Sequence, residues 1–212
     1  MKVFVDNDIA VKMAQWGLLK RFGQHLTKQG GAELFVVSTL RYRFKLDDSA
    51  KAEAMLGSAA AVAQLKDFIT LCKPAKGHNV AVAKSLTDIP SVDAGEATLF
   101  AAAAHYDAAL VDTGDKNALR ALGALGAGHT AVKALESKVA CLEQTIEYLV
   151  GRWSFNEVSK AVLAFPEADK ATHQCFAGRA ESAALAALQK KVAEISPHCC
   201  GVLSAKPFAW VP

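Results

Sequence analysis

The stretch "VFVDNDIAVKMAQWGLL", residues 3–19, joins a short apolar run to an amphipathic pattern through two aspartates. The apolar run is typical of a buried strand, and apolar residues then recur at helical spacing from Ile9 to Leu19. An Asp at the start of a helix accepts hydrogen bonds from the amides of the first turn. Capping accounts for one acid, but this junction contains both Asp6 and Asp8. The stretch therefore predicts a strand followed by a helix, with an acid that capping does not explain.

The following segments repeat the alternation of strand and helix. We predict that the first helix ends at Gly23 and that "ELFVVST", residues 33–39, is a second strand. The alanine-rich residues 47–73 favour two helices broken near Gly57, and residues 74–91 are expected to be a loop. The remaining predictions for this half are a helix over 93–108 and a strand, turn and helix over 108–125. Strands that alternate with helices indicate a mainly parallel sheet.

The pattern changes at His129, after which amphipathic helices follow one another with no strand predicted between them. The fold class that we predict is α/β, with three layers around a mainly parallel central sheet and a C-terminal helical extension. The predicted domains are an α/β domain over residues 1–128 and a helical extension over residues 129–212.

Composition excludes several classes of protein. Hydrophobic residues make up 52% of the 212 residues, which is typical of a globular chain and not of a disordered one. The net charge of +3 is too small by itself to indicate a nucleic-acid binder. The five cysteines form no CxxC pair, and an odd number fits reduced thiols better than a disulfide framework. With no cationic leader and no apolar run of membrane-spanning length, we expect a cytoplasmic protein without a membrane segment.

Acids occur where the strands of the predicted sheet end. Asp6 and Asp8 follow the first strand, and Asp112 and Asp115 follow the strand at residues 108–111. The carboxyl ends of parallel strands converge on one crevice, and Glu96 begins the helix between these segments. Carboxylates that are brought together repel each other, and a hard divalent cation relieves the repulsion. The pattern predicts a site for Mg²⁺ or Mn²⁺ and the transfer of a phosphoryl group to water.

Residues 1–128 resemble a PIN domain, the nuclease family of many toxin-antitoxin toxins. "VFVDNDIA" resembles the opening strand and its Asp-led motif, so Asp6 matches the first acid of the family. Residues 93–122 resemble the second half of the fold, in which Glu96 matches the acid after the glycine and Asp115 the acid of a threonine-x-aspartate motif. The resemblance implies that Asp6, Glu96 and Asp115 are catalytic metal ligands for the hydrolysis of single-stranded RNA. Asp8 and Asp112 are expected to assist them as metal ligands.

The chain departs from the family pattern after its second strand. The family usually carries a further acid in the helix there, whereas "STLRYRFKLDD", residues 38–48, has arginines at that place. Either Asp47 or Asp48 folds back to complete the site, or the site is weakened. The residues that we expect to contact substrate phosphate are Thr39, Arg41 and Arg43.

Partners follow from the resemblance, which implies an RNA substrate and a protein antitoxin that fills the acidic crevice. Two other functions stay open. The motifs "DND", "VVST" and "GDKN" are similar to those of haloacid dehalogenase-type phosphatases, with Asp6 as nucleophile, Asp8 as general acid, Ser38 as phosphate binder and Asp115 as magnesium ligand. Alternatively, the chain is a catalytically inactive PIN-like module whose helical extension binds a partner or a second copy of the chain, forming a homo-oligomer.

Overall fold

The computed structural model describes residues 1–76 and 79–211. Its centre is a parallel sheet with helices on both sides, so the predicted three-layer α/β class is confirmed. In the described residues the sheet has five strands, which are β1 (Lys2–Val5), β2 (Glu33–Val36), β3 (Cys72–Pro74), β4 (Ala109–Thr113) and β5 (Val139–Cys141).

Helices make up most of the rest of the described chain. No helix in these ranges is both long enough and apolar enough to cross a membrane. The α-helices are α1 (Asn7–Gln15), α2 (Leu19–Lys28), α3 (Leu40–Arg43), α4 (Ser49–Leu56), α5 (Ala59–Ile69), α6 (Val80–Leu86), α7 (Ala94–Ala103), α8 (Lys116–Ala124), α9 (Thr130–Ala134), α10 (Leu142–Arg152), α11 (Phe155–Ala164), α12 (Lys170–Phe176) and α13 (Glu181–Ile195), with short 3₁₀ helices at Pro166–Ala168 and Ser196–His198.

The strand order β3-β2-β1-β4-β5 places the site. From β1 the chain first builds outward to β2 and β3, and it then returns to add β4 and β5 on the other side. Val5 lies opposite Asp112 in the register of β1 and β4, and the Asp6 amide donates a hydrogen bond of 2.9 Å to the Asp112 carbonyl. The loops that follow β1 and β4 therefore face each other across the point where the order reverses, which is where open parallel sheets bind ligands.

The first predicted helix is in fact two helices. Gly23 was expected to end it, but Gly23 lies inside α2, and the break falls between Gln15 and Leu19. Gly17 has a φ of +72° there, a left-handed conformation that glycine adopts without steric cost. The end of the helix was predicted at Gly23 and not at Gly17, because apolar residues keep their helical spacing on both sides of the break.

The alanine-rich segment forms two helices as predicted. Gly57 ends α4 with a φ of +85°, and the Ser58 hydroxyl begins α5 by accepting a hydrogen bond of 3.1 Å from the Ala61 amide. A left-handed glycine followed by a capping serine separates the two helices.

The prediction that residues 74–91 form a loop is wrong in part. This segment contains α6, which the Asn79 side chain caps by accepting a hydrogen bond of 3.1 Å from the Val82 amide. The edge strand β3 just before it was also missed, because three residues carry too short a pattern for period-2 alternation. Residues 77 and 78 of this expected loop lie outside the described residues.

The C-terminal region is not purely helical, because residues 139–141, which belong to a stretch predicted to be an amphipathic helix, form a strand. The buried strand β5 pairs in parallel with β4 and widens the central sheet. α10 begins at Leu142, directly after β5. The three residues of β5 therefore fit the helical pattern of the sequence that follows them. The boundary between a domain and an extension at residue 128 stays a prediction, but residues on both sides of it belong to one sheet and one apolar core.

Candidate functional site

An open cavity of about 400 Å³ lies at the carboxyl ends of β1 and β4. Its walls come from both halves of the chain and consist of polar and charged residues and one glycine. The residues that line it are Asp6, Asn7, Asp8, Lys12, Arg43, Asp93, Glu96, Gly114, Asp115, Lys116, Asn117 and Asp169. The structure thus brings together four of the five acids that the sequence predicted as metal ligands, together with one of the three residues predicted to contact substrate.

Four of the described helices begin at this cavity, each with an acid as its N-cap. The side chain of each cap accepts a hydrogen bond from a backbone amide in or next to the first helical turn, and the positive ends of the helix dipoles favour the negative charge of these acids. Capping and site formation are therefore not alternatives here. The N-caps are Asp6 of α1, Asp93 of α7, Asp115 of α8 and Asp169 of α12.

Asp6 is the most constrained of the acids that line the cavity. Its side chain accepts hydrogen bonds from the Asn7 amide at 2.7 Å and from the Thr113 hydroxyl at 3.1 Å, one on each oxygen. Burial raises the pKa of Asp6 to about 6, and repulsion by Asp8 and Asp93 adds to this, against the lowering effect of the two hydrogen bonds. The carboxyl group is thus held in one orientation and is close to its titration point near neutral pH.

Glu96 belongs to a capping box at the start of α7. The Asp93 amide donates to Glu96 Oε2 and the Glu96 amide donates to Asp93 Oδ1, both at 2.8 Å. Burial raises the pKa of Glu96 to about 8, with repulsion from Asp6, Asp115 and Asp93 as further causes. Glu96 therefore holds a proton at neutral pH unless a cation enters the cavity.

Asp8, in the first turn of α1, and Asp115, the N-cap of α8, complete the group. Asp8 Oδ2 pairs with Lys12 Nζ at 2.7 Å and packs so closely on Gly114 that a Cβ there would overlap it. Asp115 Oδ1 accepts hydrogen bonds from the amides of Asn117 and Ala118, at 2.7 and 3.1 Å. Glycine at position 114 thus allows Asp8 to lie against the loop after β4, which carries Asp115.

Asp112 lies behind the cavity and not on its wall. It is completely buried, and the Thr145 hydroxyl donates a hydrogen bond of 2.8 Å to its Oδ1. Asp112 Oδ2 has no hydrogen-bond partner within the described part of the chain, and burial raises the pKa of this carboxyl group to about 8. The structure does not bring Asp112 to the cavity surface with the other four predicted ligands.

The three residues predicted to contact substrate lie together on α3 and its N-cap, and the Arg43 amide donates a hydrogen bond of 2.8 Å to the Thr39 carbonyl. Arg43 lines the cavity, 3.4 Å from Asp93 Oδ2. Arg41 instead forms an exposed ion pair with Asp47, and Thr39 is exposed outside the cavity wall. Of these three residues, only Arg43 is therefore placed to contact a ligand in the cavity.

The acid that the family pattern requires after the second strand is not supplied by Asp47 or Asp48. Asp47 is held by Arg41, and Asp48 caps α4 by accepting a hydrogen bond of 3.2 Å from the Lys51 amide. The additional acids on the cavity wall are Asp93 and Asp169.

Sequence reasoning missed several residues of the cavity wall. Lys12 follows Asp8 by four positions on a helix, a spacing that indicates an ion pair, and Lys116 directly follows Asp115. These two lysines could have been found from local spacing. Asp169 could not, because it comes from a turn far along the chain and reaches the cavity only through tertiary packing.

The oxygen donors of the cavity wall suit a hard divalent cation. Among the described residues, no three Asp, Glu, His or Cys side chains converge closely enough to hold an ion. The hydrogen bonds described above engage Oδ1 of Asp115 and Oε2 of Glu96, so the second oxygen of each carboxylate is available to a ligand. Repelling carboxylates fit Mg²⁺ or Mn²⁺ in chemistry, and binding an ion would require their side chains to turn toward it.

The raised pKa values predict how stability depends on pH. Between the ordinary values of 3.8 and 4.5 and the raised values of about 6 and about 8, Asp6 and Glu96 stay protonated in the folded chain but not in the unfolded chain. The free energy of unfolding should therefore fall as the pH rises from about 5 to about 8. Urea denaturation across this range measures the slope, which should be shallower in Glu96→Gln. An equal slope in that variant would contradict the assignment.

Comparisons with known proteins add no identity to this geometry. No family model matches the chain. Comparisons with curated proteins and with solved structures likewise found no match.

Proposed function

We propose that the protein is a divalent-metal-dependent nuclease that hydrolyses phosphodiester bonds, with single-stranded RNA as its substrate. One observation carries this proposal: three distant segments place Asp6, Glu96 and Asp115 on the same cavity, at the point where the strand order reverses. These are the acids that the PIN-like pattern selects as catalytic. Their mutual repulsion is a cost that a bound cation removes.

Asp6, Glu96 and Asp115 would hold Mg²⁺ or Mn²⁺, with Asp8 beside them. When bound, such an ion supplies positive charge that polarises a phosphoryl oxygen of the substrate. The chain itself contributes orientation, since Thr113 and the Asn7 amide hold the Asp6 carboxylate by one hydrogen bond on each oxygen. The Asp112 carbonyl accepts a hydrogen bond from the Asp6 amide and so helps to fix the backbone at Asp6.

The basic residues of the cavity serve the substrate in this proposal. Lys12, Arg43 and Lys116 lie among the acids on the cavity wall, where their charge offsets the repulsion that a polyanion would meet. The rim is exposed at Asp93 and Asn117, so an extended chain of nucleotides can reach the acids from solvent.

Asp115→Asn separates this function from simple helix capping. Asparagine caps a helix about as well as aspartate, so a residue that only caps α8 should tolerate the change. We expect Asp115→Asn to slow Mn²⁺-dependent cleavage of a labelled single-stranded RNA by about 100-fold or more, because the charge that holds the cation is lost. The matched control is Asp47→Asn, which removes an exposed aspartate outside the cavity. Equal cleavage by the wild type and Asp115→Asn would refute the proposal.

The two alternatives make different predictions for the same protein. A phosphatase would need Asp6 as nucleophile and Ser38 as phosphate binder, but Ser38 is exposed and lies outside the cavity wall. Trapping a phosphoaspartate analogue on Asp6 would nevertheless favour it. An inactive module would bind no metal, so the absence of heat on calorimetric titration with Mn²⁺ would favour that alternative.

A further inference from the structure

Two lysines on the cavity wall are each held by an acid from the C-terminal region. Lys12 Nζ lies 2.7 Å from Asp8 Oδ2 and 2.8 Å from Asp169 Oδ2, so it links the first turn of α1 to the start of α12. Lys116 Nζ, in the first turn of α8, forms an ion pair with Glu143 Oε1 of α10. Both lysines thus depend for their positions on residues beyond 128.

The two C-terminal acids are well fixed. The Asp169 side chain caps α12 by accepting a hydrogen bond of 2.8 Å from the Thr172 amide. The Glu143 side chain is only 1% exposed and lies in the first turn of α10, where the helix dipole favours its charge. A buried carboxylate needs a cationic or hydrogen-bonding partner, and Lys116 is that partner for Glu143 Oε1, while the buried Oε2 has no hydrogen-bond partner among the described residues. Each lysine therefore has a restricted position at the cavity.

Neither lysine uses all of its donors in these ion pairs. An ammonium group has three N–H donors, of which the ion pairs above engage two on Lys12 and one on Lys116. The side chains of Lys12 and Lys116 are 15% and 28% exposed, so both reach solvent. The remaining donors can meet an anion that enters the cavity.

An anion that enters the cavity needs the positive charges of Lys12 and Lys116 to bind there. Among the described residues, six acids and three basic residues line the cavity, so the wall repels a polyanion overall. Arg43, the third basic residue, is more than half exposed, and its ion pair with Asp93 Oδ2 is long, at 3.4 Å. Lys12 and Lys116 are the fixed cations of the cavity wall, Lys12 on α1 and Lys116 in the first turn of α8.

We propose that Lys12 and Lys116 bind phosphate groups of a single-stranded nucleic acid and that Asp169 and Glu143 are the positioning residues that hold the two lysines at the cavity. The inference rests on the proposed function for its choice of substrate. It assigns to the region after residue 128 a part in the substrate-binding surface.

The test measures binding without turnover. A fluorescein-labelled single-stranded RNA decamer is titrated with the full-length protein in EDTA, and fluorescence anisotropy is followed at several salt concentrations. Each phosphate contact that is lost reduces the slope of log affinity against log salt by about 0.7. We expect Lys12→Met and Lys116→Met each to weaken binding several-fold and to reduce the slope by about that amount. Lys28→Met is the matched control and should leave both unchanged, because Lys28 is an exposed lysine at the end of α2 and outside the cavity.

The positioning role is tested with Asp169→Asn and Glu143→Gln, which keep the shape of the side chain and remove its charge. Removing either acid also reduces repulsion of the RNA, but we expect the loss of a fixed lysine to outweigh this, so that binding weakens, the salt slope falls and, in Mn²⁺-dependent cleavage, KM rises with a nearly unchanged kcat. A merely structural role would lower the urea midpoint without moving the salt slope. If Glu143→Gln does not fold, Lys116→Met decides the matter, since that side chain is partly exposed.

The outcomes separate this inference from the proposed nuclease activity. Wild-type affinity and slope in Lys12→Met and Lys116→Met would overturn the inference even if the protein cleaves RNA. No binding of the decamer by the wild type would overturn it as well. Binding that depends on both lysines, in a protein that cleaves no RNA with Mn²⁺, would support the inference and refute the nuclease.

Discussion

Asp6→Asn is expected to reduce Mn²⁺-dependent RNA cleavage by about 1,000-fold while the protein stays folded. The amide oxygen of asparagine can still accept a hydrogen bond from the Asn7 amide, and asparagine is as good an N-cap as aspartate. What the variant loses is the hydrogen bond that the Thr113 hydroxyl donates to Asp6 Oδ2 and, above all, a buried negative charge on the cavity wall, where a bound cation would be held. The effect should exceed that of Asp115→Asn, because Asp115 is less buried than Asp6.

Single-turnover cleavage of a labelled RNA measures this effect, and circular dichroism checks the fold. The matched control is Asp67→Asn, which removes an exposed aspartate that pairs with Lys20 away from the cavity. Calorimetric titration with Mn²⁺ should show the same order, with binding lost in Asp6→Asn and kept in Asp67→Asn. Cleavage at the wild-type rate by Asp6→Asn would leave that residue with a capping role alone.

Gly123→Ala is expected to destabilise the protein by about 2–3 kcal/mol. A Cβ at position 123 would lie 2.7 Å from the carbonyl carbon of His198 and nearer still to its oxygen, and 3.0 Å from the Cα of Cys199. These neighbours are backbone atoms, so α8 and the 3₁₀ helix at Ser196–His198 would have to separate. The better helix propensity of alanine, worth about 1 kcal/mol, offsets only part of the cost.

Urea denaturation measures the loss, and Gly151→Ala is its control. Gly151 is also a helical glycine, in α10, but a Cβ there would have no neighbour within 4 Å among the described residues. That variant should be as stable as the wild type or more stable, by up to about 1 kcal/mol. A Gly123→Ala protein with the wild-type midpoint would show that the contact between α8 and the 3₁₀ helix can relax at little cost.

Part of the candidate site could be predicted from the sequence, because it depends on local patterns. A strand that runs into a capped helix leaves its acid at the carboxyl edge of a parallel sheet, and this holds for Asp6 after β1 and for Asp115 after β4. Asp112 shows the limit of such reasoning. It is the last but one residue of β4, and its side chain packs below the cavity against Thr145 of α10, a helix that the local pattern around Asp112 does not describe.

The short strands show the same limit in the fold. β3 and β5 have three residues each, and their place in the sheet comes from pairing with β2 and β4 and not from a pattern of their own. Hydrophobic periodicity needs several residues to distinguish a strand from a helix, so segments of this length carry no usable signal.

By itself, the sequence determined the α/β class, the capped junctions after β1 and β4, and the acids Asp6, Glu96 and Asp115 at one edge of the sheet. The junctions follow from neighbours within a few residues, and the meeting of the acids follows from the rule that parallel strands end at one edge of a sheet. Only the tertiary structure decided that Asp169 reaches the same cavity and that Asp169 and Glu143 pair with Lys12 and Lys116 of its wall. Contacts between distant segments depend on how the helices pack on the completed sheet, and no local spacing encodes that packing.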